Sequence, residues 1–391
     1  MVTSAPDDGY PEVLEALKNS YLYLRISLVG VVAAIVIAIA STPAEYKPEG
    51  AGILRSISHY YYTPARIVFT AALCGAALAL ISLAGRGVQN YLLDVAALLA
   101  PLIAFIPTRT LRTEVGEAAE LGSCVAGWPA GSDCIPRDQL AFVELGFYVW
   151  ALFAAVGMLL ALIRGLLKLR PGRTREPVWY WIALIVGVGI LILYLSWWRT
   201  DAFVGLQLWG HITAAGTFFI LIMLVAAIEA IRQAFSPNVR KPAYLPRRAY
   251  AAIYAILAIT LVADVVIAIV VLAALSGAQQ GDAIFWIEVI GLLAFALFWS
   301  FQTLEHARDA DGWVSPAPPG SWSITNSNRI ASRQQDLADA GYYSGAVDGR
   351  AGALTQQGIR DFQAAQSLDA TGEFDEATST ALRTAARALR R

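Results

Sequence analysis

The sequence predicts an all-α protein: a polytopic membrane helix bundle of about eight transmembrane helices, followed by a small three-helix soluble domain. Three observations lead there. Of 391 residues, 57% are hydrophobic and 15% charged, and the mean hydropathy is +0.55; a soluble domain is about 45–50% apolar. The apolar residues before about residue 305 come in long runs without alternating polarity, and in hydrocarbon a run of that kind pairs its backbone groups only as a helix. Beyond residue 305 the apolar runs stop, and helical spacing resumes on a polar background.

Residues 1–21 read as a polar lead-in. The start "MVTSAPDDGYPEVLEALKNSYLYLR" lacks the basic stretch and small-residue cleavage site of a secretory signal, so the first apolar run is expected to stay as a helix. A hydrocarbon core of about 30 Å takes roughly 20 helical residues. Within the transmembrane domain, residues 22–305, the runs 22–40, 65–84, 89–107, 140–165, 178–198, 208–233, 249–275 and 283–304 meet that length or come close.

Lys and Arg in short connections set orientation, because positive flanks stay cytoplasmic. Arg164, Lys168, Arg170, Arg173 and Arg175 follow the fourth run; Arg232, Arg240, Lys241, Arg247 and Arg248 follow the sixth. These connections are expected in the cytosol, with the N-terminus. An even span count brings the C-terminal domain to the same side of a bacterial cytoplasmic (inner) membrane. Cys124 and Cys134 in "CVAGWPAGSDC" fall in a long loop that this orientation places outside, where a disulfide between them is plausible. The other reading is two unpaired loop thiols, and Cys74 inside the second run is a packing residue. With a net charge of −1 and no basic domain, nothing supports a nucleic-acid partner.

"DADGWVSPAPPGSWSITNSN" makes residues 306–328 a Pro/Ser/Gly-rich linker. Residues 329–391 form the last domain. Ile330, Leu337 and Ala338, then Ile359 and Phe362, have helical spacing, and a third helix is expected from about Glu376 to Leu389. Gly345, Asp348, Gly349, Gly352, Thr371 and Gly372 suit tight turns and helix caps. Three helices around one core is the purely structural reading.

The ordered elements Gln334, Leu337, Gly341-Tyr342-Tyr343, Asp348-Gly349, Gly352, Thr355, Phe362-Gln363, Thr371-Gly372, Asp375 and Thr378 resemble the three-helix peptidoglycan-binding-like family over about 60 residues. Ser367 departs from it, standing where the family usually has Gly. The resemblance implies a binder of peptidoglycan or its fragments, or of a protein partner, with Tyr342, Tyr343, Asp348, Gly349, Phe362 and Gln363 as candidate contacts. Several of these the fold itself would require. Residues 307–391 contain neither His nor Cys, so this module lacks the usual ligands of a zinc hydrolase and is read as binding rather than cutting.

In the membrane part, helical rise puts Glu144, His211, Asp264 and Glu288 in the outward half, level with Ser56, Ser58, His59 and Tyr60 in "SISHYYYTPARIVFTAALCG". Such groups are costly in lipid, which makes the gathering a functional candidate. It reads as a hydrogen-bonded network that stabilises the bundle, as a polar cavity for a headgroup or protons, or as a metal site built on His211, His59 and a carboxylate. His306 lies at the opposite end of the eighth run and no two His share a helix face, which limits the metal reading. Asp94 and Glu229, in the cytosolic half, are expected to be solvated or paired with loop arginines.

The signature S-I-S-x-Y-Y-Y-T, a later His-led span with paired Phe, and a closing F-W-x-E span resemble a family of uncharacterised bacterial integral membrane proteins, over roughly 50–107 and 208–304. That resemblance implies no activity. A looser similarity to ceramidase-like seven-span hydrolases lacks their paired His. The leading expectation is therefore a cell-envelope protein in membrane lipid with a binding, anchoring or assembly role and no cofactor. An intramembrane hydrolase using zinc, or a transporter using the outward cluster, is the alternative.

Overall fold

Apolar runs between polar turns fold as eight long helices: α1 (Tyr10–Ala40), α2 (Arg66–Ser82), α3 (Val88–Phe105), α4 (Arg137–Leu167), α5 (Val178–Trp198), α6 (His211–Phe235), α7 (Arg247–Ala274) and α8 (Gly277–Glu305). The computed structural model describes residues 10–83, 87–126, 128–129, 131–169, 177–236, 244–275, 277–305, 321–345, 347, 353–372 and 374–389. Proline marks three of the starts: Pro136, Pro177 and Pro246 stand at the N-caps of α4, α5 and α7, where a fixed φ and a missing N–H cost nothing. The chain divides into a membrane unit that ends by Ser315 and a C-terminal unit from Pro316.

Seven of the eight helices are long and apolar enough to cross a membrane, and α2, with 17 residues, falls just short. Its length matches that of α3, which has 18. The two pack side by side, and Tyr62 Oη donates to the Thr108 carbonyl at 2.7 Å, tying the start of α2 to the end of α3. Thus α2 runs through the same depth of the bundle as α3.

Packing makes α6 central, with α3 and α7 against it, while α8 lies between α7 and α1 and the α4–α5 pair rests on α3. The pair turns Phe153, Ile185 and Ile192 outward, as a lipid-facing surface should. Arg25, midway along α1 and near the start of its apolar span Ser20–Ala40, lies within electrostatic reach of Glu305, the last residue of α8. The chain therefore enters and leaves the bundle at one end.

At the other end the connection between α3 and α4 folds over the helix tips. Cys124 and Cys134 form a disulfide, and Cys134 pairs with Thr110 through backbone hydrogen bonds of 3.0 and 3.2 Å. Gly116 donates its N–H to the Tyr46 carbonyl. A Cβ at Gly116 would run into the Glu45 carbonyl oxygen, so only glycine allows that approach.

The C-terminal unit consists of α9 (Ser321–Asp339), α10 (Ala353–Ala365) and α11 (Glu376–Leu389). Leu337, Ile359, Phe362 and Leu382 form its core, flanked by Tyr342, Tyr343 and Phe374. The first helix begins at Ser321, inside the stretch read from sequence as linker. Nothing after Pro319 and Gly320 breaks a helix, so the Ser/Asn-rich residues extend α9 ahead of its core-facing stripe.

Candidate functional site

The short 3-10 turn Ile57–Tyr62 precedes α2, and all six of its residues are buried. Three polar contacts from three different parts of the fold hold it. Glu288 of α8 takes the Ser56 hydroxyl on both oxygens, at 2.9 and 2.8 Å, and the Ile57 N–H at 2.5 Å. This carboxylate closes the N-terminus of the turn as a capping side chain would.

His211, the first residue of α6, makes the second contact. Its Nδ1 lies 2.7 Å from the Ile106 carbonyl at the end of α3, and a carbonyl only accepts, so Nδ1 carries the proton. With the ring neutral, Nε2 is then the acceptor for the Ser58 hydroxyl at 2.6 Å. Both ring nitrogens are thereby committed.

Glu114 supplies the third contact, and sequence reasoning missed it. It receives Arg55 Nη1 in an ion pair, His59 Nε2 at 3.3 Å and the Leu111 N–H at 3.1 Å. Burial pushes its pKa up, but the hydrogen bond and charge of His59, the Leu111 N–H and the Arg55 charge together outweigh that and hold it below the ordinary carboxylate value. One polar Glu in a loop of many has no periodicity or spacing to mark it. Only the fold shows that it faces His59.

Of the residues expected to gather, the structure brings Ser56 to Glu288 and Ser58 to His211, with His59 beside them on the Glu114 arm. Tyr60 is buried and accepts the Leu54 N–H at 3.3 Å. Asp264, on α7, lies one turn deeper, against Gly291 of α8. Glu144 does not join: it sits half-buried on α4, a helix that packs on α3 and α5. Among the described residues no group of three His, Cys, Asp or Glu is placed to hold a metal ion.

A second polar cluster lies at the opposite end. Glu229 is buried and paired at 2.5 Å with Arg232, an arginine counted from sequence in the following connection and found in the last turn of α6. Arg232 also reaches Glu305 at 3.1 Å, which accepts from Gln233 and, at 2.6 Å, from Tyr254 Oη. Arg247 closes the end of α6 through the carbonyls of Gln233 and Ser236. Arg25 and Glu305 sit at the margins of apolar runs, where sequence alone makes them look solvated. Asp94 is half-buried and faces the charge of Arg164.

In the C-terminal unit the motif residues prove to be mainly architecture. Gln334 Nε2 donates to Thr355 Oγ1 at 3.0 Å and to Tyr343 Oη at 3.1 Å. Gln363 Nε2 donates to Thr371 and Thr378 at 3.0 and 2.9 Å and its Oε1 accepts the Gly372 N–H at 2.9 Å. Phe362 and Gln363 are both 0% exposed. Expected from sequence to be contacts, they have no surface to offer a ligand. Tyr342 and Tyr343 are half-buried, Tyr342 packing edge-on against Phe362; Asp348 and Gly349 lie outside the described residues.

Residues 326–382 match the sequence family described as Putative peptidoglycan binding domain. The match takes in α9, α10 and the start of α11 and does not reach the membrane unit. No curated protein and no solved structure matches the chain.

Proposed function

We propose that this chain is a cell-envelope membrane protein whose helix bundle presents a peptidoglycan-binding-like module for recognition or assembly rather than catalysis. The observation that carries this reading is the module itself: a family match at 326–382 on three helices whose motif glutamines are fully engaged inside. A fold kept intact by that many internal contacts supports a working binding domain. The outward cluster fits the same reading, since its hydroxyls and imidazoles serve to hold the Ile57–Tyr62 turn. The resemblance of the membrane unit to an uncharacterised bacterial family belongs to this proposal and adds no activity to it.

The bundle's two ends suggest an address. The end with Arg25, Arg232 and Arg247 adjoins the Lys- and Arg-rich connections, and the opposite end carries the disulfide. By the charge rule the first is cytosolic and by redox the second is outside. The module follows α8 from the cytosolic end, so its ligand in the cell is a wall precursor, a wall fragment or a protein partner on that side.

Co-sedimentation of the detergent-solubilised full chain with purified peptidoglycan sacculi tests the binding role. The full chain should pellet with sacculi, and a chain ending at Gly320 should remain in the supernatant. Equal behaviour of the two would remove the module from any wall-binding role.

A further inference from the structure

We propose that Asp264 is a proton-binding residue, held at the junction of α6, α7 and α8 inside the membrane bundle. The inference stands apart from the module and from the binding role proposed for it. Asp264 keeps 7% of its surface and lies more than two turns from the end of α7. Its Oδ2 is aimed at Gly291: a Cβ there would fall 3.0 Å from Oδ2 and 3.1 Å from the Phe219 ring of α6. A side chain at that position of α8 would press on the carboxyl, which would have to shift by a few tenths of an ångström.

Other enclosed carboxyls of the membrane unit have partners: Arg55 for Glu114, Arg232 for Glu229 and Glu305, and the Ser56 hydroxyl and Ile57 N–H for Glu288. Asp264 has none among the described residues, nor any hydrogen bond. Its charged neighbour is Glu288, one turn along α8 from Gly291. That group has the same sign, and its oxygens already accept from Ser56 and Ile57. From α6 the titratable group at this end is His211, both of whose nitrogens are engaged. An ionised carboxylate in an apolar bundle without a counter-charge is among the costliest arrangements a membrane protein can hold. A bound proton removes the charge, and acids placed this way are how membrane proteins store or pass protons.

Dicyclohexylcarbodiimide gives a direct test. This apolar reagent adds a protonated carboxyl across its C=N bond and rearranges to a stable N-acylurea, with no oxidant and no leaving group. The full chain in native membranes at neutral pH is treated and its peptides are mapped by mass spectrometry. The adduct is expected on Asp264, unchanged by sodium or potassium chloride, lost in Asp264→Asn and diminished in Gly291→Ala. Because the wild-type map by itself locates the adduct, the outcome does not depend on either variant folding. An unmodified Asp264, or an adduct suppressed by sodium or potassium, would overturn the proposal; the second result would make this a metal-cation site.

Discussion

Ser367 shows how much one residue can disclose. It adopts φ +55°, with Leu368 N–H donating to the Gln363 carbonyl and Ser367 N–H to the Ala364 carbonyl. This is a Schellman ending of α10, matched at α9 by Gly341 at φ +83°. A side chain at that left-handed position is strained by roughly 1 kcal/mol relative to glycine. Ser367→Gly should therefore stabilise the module by about that amount, read by pulse proteolysis of the full chain. Gln363→Ala should do the reverse: losing the buried hydrogen bonds to the Gly372 N–H and to the Thr371 and Thr378 hydroxyls costs about 1–3 kcal/mol. The sequence motif located both residues but not their purpose, because a buried glutamine and a ligand-contacting one look alike until the fold shows what surrounds them.

Glu114 makes a prediction in pH at the same scale. Its folded pKa lies below the unfolded value, so its contribution is fully present above the ordinary carboxylate pKa and is lost as pH falls through the folded one. Hydrogen exchange in residues 57–62 and 110–116 should quicken as pH falls below the ordinary carboxylate range in the wild type. In Glu114→Gln the same segments should exchange fast at every pH. An unchanged acid profile in that variant would assign the loosening to another group.

At the level of elements, the Ile57–Tyr62 turn is the piece that joins α2, α6, α8 and the disulfide loop. Ser58→Ala leaves the His211 Nε2 acceptor unpaired in a buried site, and a loss of about 1–3 kcal/mol is expected in thermal unfolding of the solubilised protein. Cys124→Ser should loosen the loop that carries Glu114, at a cost of about 2–4 kcal/mol, seen as faster exchange from Thr110 to Cys134. The eight helices were legible because hydrophobic length is written directly into the chain. Their ends were less so: α1 continues back to Tyr10 and α9 to Ser321, since polar residues that tolerate a helix leave no mark where it starts. The candidate site was legible in part. Ionisable residues in apolar runs stand out, which found His211, Asp264 and Glu288, whereas Arg55, Glu114, Arg25 and Glu305 act from the edges of runs or from loops.

For the whole molecule, the decisive feature is that the apolar span of α1 begins, and α8 ends, at one end of the bundle, with Arg25 near Glu305. A cytosolic module requires α2 to count as a full crossing despite its 17 residues, and the tie between its start and the end of α3 through Tyr62 and Thr108 supports that. If α2 did not cross, the parity of the spans would change and the module would move to the other side. Accessibility of the segment ahead of the module tests the point directly. A cysteine introduced by Ser315→Cys should stay unlabelled by a membrane-impermeant maleimide in intact cells and become labelled once the membrane is permeabilised. Labelling in intact cells would contradict the cytosolic placement, putting the module outside and within reach of the assembled wall.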